Sequence, residues 1–198
     1  MGQAIHPNQG RDCRRSFGRF AVGQCAQIGG IWGKGGRGGC GRALAYRAYQ
    51  DWKDGKSASA EADPAALPAP SPAFLPASDE GQEDLALRLV QAMVAATKAD
   101  GHVTSAERGR ILSQLPNLGL GDEAQALIAA EIDAPFDVNR IAALAQTEAE
   151  AAEIYAASLL VIDPEAPAEK GYLAMLAARL GLDAGLVAHL HAKTAALA

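Results

Sequence analysis

Cysteine is scarce in this chain and badly placed for chemistry. All three, Cys13, Cys25 and Cys40, lie in the first 40 residues, at spacings that match neither a C-x-x-C redox pair nor a zinc knuckle. His6 as a fourth ligand would not supply the short, defined spacing that a metal site requires. No cysteine follows Cys40, so folding of the later residues calls for no oxidising compartment. Long apolar runs are missing too. The longest uncharged stretch ahead of the prolines, Phe20 to Gly33, has 14 residues and includes Gln24, Gln27 and four glycines, whereas a membrane span needs about 20 mostly apolar residues. Met1 to Gly18 carries arginines where the apolar core of a signal peptide would stand.

Catalytic signatures are also absent. No G-x-S-x-G, P-loop or H-E-x-x-H occurs, and an enzyme is not expected. His189 and His191 stand two apart on a predicted helix, where side chains diverge, so they cannot chelate one ion together. Tyr155 and Tyr172 fall on apolar faces and read as core aromatics with a hydrogen-bonded tip.

What is present is a strong charge asymmetry. Residues 1–60 hold ten Lys/Arg against three acids, a net of +7, and the rest hold eight against twenty, a net of −12. Two readings stand for a basic arm on an acidic body: it meets an anionic surface such as lipid headgroups, nucleic acid not being expected, or it is a solvated tail with no partner. Residues 1–41 are Gly-rich and basic, with eight glycines between Gly29 and Gly41, a composition expected to stay mostly disordered. Residues 42–53 change character. Tyr46, Tyr49 and Trp52 recur at near-helical spacing among Arg42, Arg47 and Lys53. Two readings stand for this short amphipathic helix: it lies at a membrane–water interface, or it packs on the protein itself. Residues 54–78, with Pro64, Pro68, Pro70, Pro72 and Pro76, read as an extended, semi-rigid Pro/Ala spacer.

From residue 79 to 198 the periodicity is helical throughout. A helix over about 83–99 carries Leu85, Leu89, Met93 and Ala96 on one face, with Leu87, Val90 and Val94 widening it, which marks it as central to the core. A second opens on the capping box Thr104-x-x-Glu107 and stops at Pro116 and Gly119. A third covers about 122–132. Asp137 caps a short helix to about Ala145, and Thr147-x-x-Glu150 caps the helix that carries Tyr155 and Leu159. Two more run from about Pro167 to Leu180 and from Asp183 to Leu197. Alternation is absent, so no strand is expected. The fold class is all-α, a bundle of about six to seven helices.

The chain also repeats itself. Ala106-Glu-Arg-Gly-Arg-Ile-Leu112 parallels Ala168-Glu-Lys-Gly-Tyr-Leu-Ala174, and Leu118-Gly-Leu-Gly parallels Leu180-Gly-Leu-Asp. Glu107 precedes Gly119 by the same interval that separates Glu169 from Gly181. Two related helix pairs burying their stripes on one another would make such a bundle.

These features resemble the TerB-like superfamily, first named for tellurite resistance, and within it the YebE-type bacterial inner-membrane proteins of unknown function. The residues that carry the resemblance are Ala45-Tyr-Arg-Ala-Tyr-Gln-Asp-Trp52, Ala95-Ala-Thr-Lys-Ala-Asp-Gly-His102 with Glu107, Ile154-Tyr-Ala-Ala-Ser-Leu-Leu160 through Asp163, and Leu186-Val-Ala-His-Leu-His191. The resemblance implies an all-helical domain at the inner membrane with no established reaction. Family members usually carry an apolar Gly-rich segment ahead of the Tyr/Trp stretch, whereas here that region holds Arg14, Arg15, Arg19, Lys34 and Arg37. Each base at a helix centre costs about 2.5–3.5 kcal/mol on insertion scales.

No cofactor is expected from the motifs. The one metal candidate is the duplicated acidic loop, Asp100 and Glu107 in one half and Asp163 and Glu169 in the other. Four carboxylates brought together would repel unless a divalent cation intervened. The competing reading is capping, with Asp100 and Gly101 ending one helix and Glu107 closing the box of the next. The function expected overall is a non-enzymatic, membrane-proximal interaction module for a protein partner; the alternative is a divalent-metal-responsive domain.

Overall fold

A computed structural model describes residues 40–58, 74, 78–99, 109, 121–162 and 164–195. Among these residues the chain is helical, with no strand. The helices are α1 (Cys40–Lys53), α2 (Asp79–Ala96), α3 (Asp122–Asp133), α4 (Val138–Ala142), α5 (Glu148–Leu159), α6 (Pro167–Leu180) and α7 (Ala184–Ala195). The helix expected from Thr104, and with it the first copy of the repeat, lies outside the described residues.

Local chemistry sets most of the helix ends. Asp137 accepts the backbone N–H groups of Asn139 and Arg140 and starts α4. The Thr147 hydroxyl accepts the Glu150 N–H at 3.1 Å; the Glu150 carboxylate reaches one residue further back than a capping box requires, to the Gln146 N–H at 2.8 Å. Pro167 occupies the first turn of α6, and Gly181 ends that helix with φ +66°, a left-handed conformation costly for any residue with a Cβ. α2 starts earlier than its apolar periodicity suggests. Ser78 caps it by accepting the Gly81 N–H at 3.1 Å, and the polar first turn, Asp79 to Gln82, precedes the first core residue, Leu85.

The centre of the bundle is α5 rather than α2. α5 touches α1, α2, α6 and α7, whereas α2 packs on α3, α4 and α5. Every residue from Ala149 to Leu159 is buried, the signature of a helix enclosed on all sides. Its alanines at 149, 151, 152, 156 and 157 keep the girth small enough for four neighbours to approach.

Of the two readings for the Tyr/Trp helix, the structure adopts the second. α1 packs on α5 and α7, burying Ala43, Leu44, Ala45, Ala48 and Tyr49. Burial of Leu44 and Tyr49 is worth roughly 2 kcal/mol each, and that apolar surface is used within the protein. The core therefore includes a helix ahead of residue 79. The intervening segment returns to it at one described point: Phe74 is 1% exposed, edge-on to the rings of Tyr46 and Tyr49 with both centroids at 5.3 Å.

Candidate functional site

The densest polar arrangement lies in the seam between α1 and α7. Asp51, on the inward face of α1, sits 3.1 Å from Lys193 Nζ on α7, a lysine only 2% exposed. Arg47 at 3.4 Å and Lys56 at 3.2 Å approach the same carboxylate. Burial pushes the Asp51 carboxyl upward, but hydrogen bonds from Lys193 and Lys56, with the charges of Lys193 and Arg47, outweigh it and hold the pKa below the ordinary carboxylate value. One turn before Lys193, His189 meets the Gly185 carbonyl at 2.7 Å through Nδ1 and the Lys56 carbonyl at 2.9 Å through Nε2. Both contacts are to acceptors, so a neutral ring donates to one of them and an imidazolium to both. At the edges of the seam Trp52 donates to Asp183 at 3.1 Å, and Tyr49 donates to Glu148 at 3.0 Å.

Three further groups of contacts tie α2 to α3 and α5, and α4 to α3. Lys98, buried just beyond α2, donates to the carbonyls of Glu131, at 2.9 Å, and Ala134 at the C-terminus of α3. That position lets a cation meet the orphan carbonyls and the negative end of the helix dipole. Burial lowers the Lys98 pKa; the Glu131 charge opposes this and Arg140 adds to it. Arg140 grips the Glu131 carboxylate through both terminal nitrogens, at 2.7 and 2.5 Å. Arg88 of α2 donates to the Leu144 carbonyl at 3.0 Å and to Glu150 at 2.8 Å.

The aromatic tips are satisfied as their apolar faces led us to expect. The Tyr155 hydroxyl lies 2.9 Å from His191 Nε2, and the Tyr172 hydroxyl 3.3 Å from Ser158 Oγ. Burial pushes both phenols up to about 12. Burial also holds His191 below the ordinary histidine value, with the Glu165 charge pulling the other way. His189 and His191 thus serve different neighbours.

Of the four acids proposed for a cation, Asp100, Glu107 and Asp163 lie outside the described residues. Glu169 is buried in the first turn of α6. Among the described residues no three His, Cys, Asp or Glu side chains come together to hold a metal ion. What sequence reasoning did not find is the seam. Asp51 reads there as one more polar residue of an amphipathic helix, and Lys193 as the last base of α7. The one available signal is that Asp51 interrupts the face formed by Leu44, Ala48 and Tyr49.

The chain matches the model of one family over residues 10–194, and it belongs to that family, DUF533, a TerB-like family of unknown function. It is also similar to a curated protein of Yersinia enterocolitica described as "Uncharacterized protein in ampR 5'region", with 38% identity over 89 residues. That stretch is 45% of this chain and 64% of the relative. No solved structure matches the chain.

Proposed function

We propose that this member of the DUF533 family is a non-catalytic interaction module held beside a membrane. Its basic N-terminal segment lies against anionic lipid, and its acidic helical body faces a protein partner. The observation that carries the reading is the seating of α1. The six Lys/Arg of residues 1–39, set against one acid, join the body through a helix locked by the Asp51–Lys193 pair. Attraction of the arm to lipid would therefore position the whole body. At about 1 kcal/mol per base near an anionic surface, six bases supply on the order of 5 kcal/mol, enough for reversible attachment without a span. Among the described residues no helix is long and apolar enough to cross a membrane. The resemblance noted above points to the bacterial inner membrane and to envelope or tellurite stress as the setting.

The test is vesicle sedimentation with the full chain and a variant carrying Gln at Arg11, Arg14, Arg15, Arg19, Lys34 and Arg37. The native chain should pellet with phosphatidylglycerol-containing vesicles and stay in solution with phosphatidylcholine alone. The variant should stay in solution with both. Equal pelleting of the two proteins would contradict the attachment.

A further inference from the structure

We infer that the outer face of α6 is a docking surface for the outer face of α3 on a second copy of this chain. Phe136, at 41%, and Met175, at 51%, are the large hydrophobic residues left exposed among the described residues, and they are neighbours. Phe136 packs against the Tyr172 ring with centroids 5.7 Å apart and the planes tilted by 54°, one turn from Met175 on α6. The strip continues over the exposed Ala168, Gly171, Ala174 and Ala178, where short side chains let another helix come close. Cations mark its ends. Lys170 and Arg179 are exposed and make no ion pair among the described residues. The acid of α6, Glu169, is buried. In a body whose net charge is strongly negative, this face is apolar and positive.

Charge decides what can cover it. Two α6 helices laid together antiparallel would set Lys170 of one copy beside Arg179 of the other, and a parallel pair would set like residues together, so symmetric pairing is disfavoured. The complementary face is on the same molecule. α3 presents Ala126 and Ala130 outward, with Asp122 and Glu123 at one end and Asp133 at the other, all exposed. The helices have 12 and 14 residues, about 18 and 21 Å, so the acids of one reach the bases of the other. Such a contact is smaller than a standard interface of about 1,600 Å², and it predicts weak, concentration-dependent association. Because two different faces meet, the contact is heterologous and leaves a free face on each end molecule.

Sedimentation equilibrium of the full chain tests it, with one variant for each face: Lys170→Glu with Met175→Glu, and Ala126→Arg with Ala130→Arg. All four positions are exposed, and circular dichroism checks that both variants stay folded. The native chain should gain average mass with concentration, less so at high salt, while each variant alone stays at the 20.4 kDa monomer. Mixing the variants restores one intact face of each kind, so the mixture should associate. A native chain that stays monomeric, variants that associate as the native chain does, or a mixture that remains monomeric would each overturn the proposal. Association driven by the basic arm would show as the second of these outcomes.

Discussion

Replacing Asp51 by Asn tests whether α1 is locked into the body. The Asp51 side chain is 8% exposed and faces that of Lys193, 2% exposed, at 3.1 Å. Removing one member of a buried pair costs about 3–5 kcal/mol, and the outer part of this carboxylate, reached by the exposed Lys56, puts the loss near 3 kcal/mol. For a domain of this size 1 kcal/mol corresponds to roughly 2–4 °C, so the melting temperature should fall by roughly 6–12 °C. The assay is urea unfolding followed by circular dichroism together with fluorescence of Trp52 in a Trp32→Phe background, because Trp52 reports the seam directly. Replacing the pair together, Asp51→Leu with Lys193→Met, should recover most of the loss. The pH dependence has a definite sign. The Asp51 pKa is lower folded than unfolded, so its contribution is complete above the unfolded value of about 3.9 and disappears as pH falls through the folded value. A loss under about 1 kcal/mol, the size of an exposed pair, would refute the lock, as would a double variant no better than Asp51→Asn.

Phe74→Ala should cost about 3 kcal/mol in the same assay, as for other buried aromatics, and Phe74→Leu under 1.5 kcal/mol; a negligible loss for the alanine variant would mean that the Tyr46–Tyr49 slot is not filled. Gly185→Ala places a Cβ 2.9 Å from Asp183 Oδ1 and 3.2 Å from the Trp52 ring, so the Asp183 carboxylate, which accepts the Trp52 N–H, must shift and the Trp52 emission should change; an unchanged spectrum would contradict the packing. His191 titrates lower in the folded protein than in the unfolded chain, so stability should decline as pH falls below about 6.5. His191→Gln should flatten the melting-temperature profile between about pH 7 and 5 relative to the native chain, and parallel profiles would exclude a role for this ring.

The parts of the fold readable from sequence are those that depend on neighbours within four residues. Asp137, Thr147, Pro167 and the helices after them stand where capping chemistry places them, and Tyr155 and Tyr172 lie inward with their hydroxyls met. The beginning of α2 was less legible, because its first turn is polar and only Ser78 announces it. α5 was harder still: its alanines carry little periodic signal, and nothing local distinguishes a helix touched by four others from one touched by two. The acids of the duplicated loop belong to a third class, since three of the four lie outside the described residues.

By itself, then, the sequence determined an all-helical body, most of its helix ends, and the opposition between a basic arm and an acidic domain, all consequences of local propensity and composition. Only the tertiary structure decided that α1 belongs to the core, that Phe74 fills a slot between two tyrosines, and that Asp51 meets Lys193. Such contacts join positions as much as 142 residues apart, as Asp51 and Lys193 are. A side chain's neighbours at that range follow from how helices stack, which no window along the chain contains.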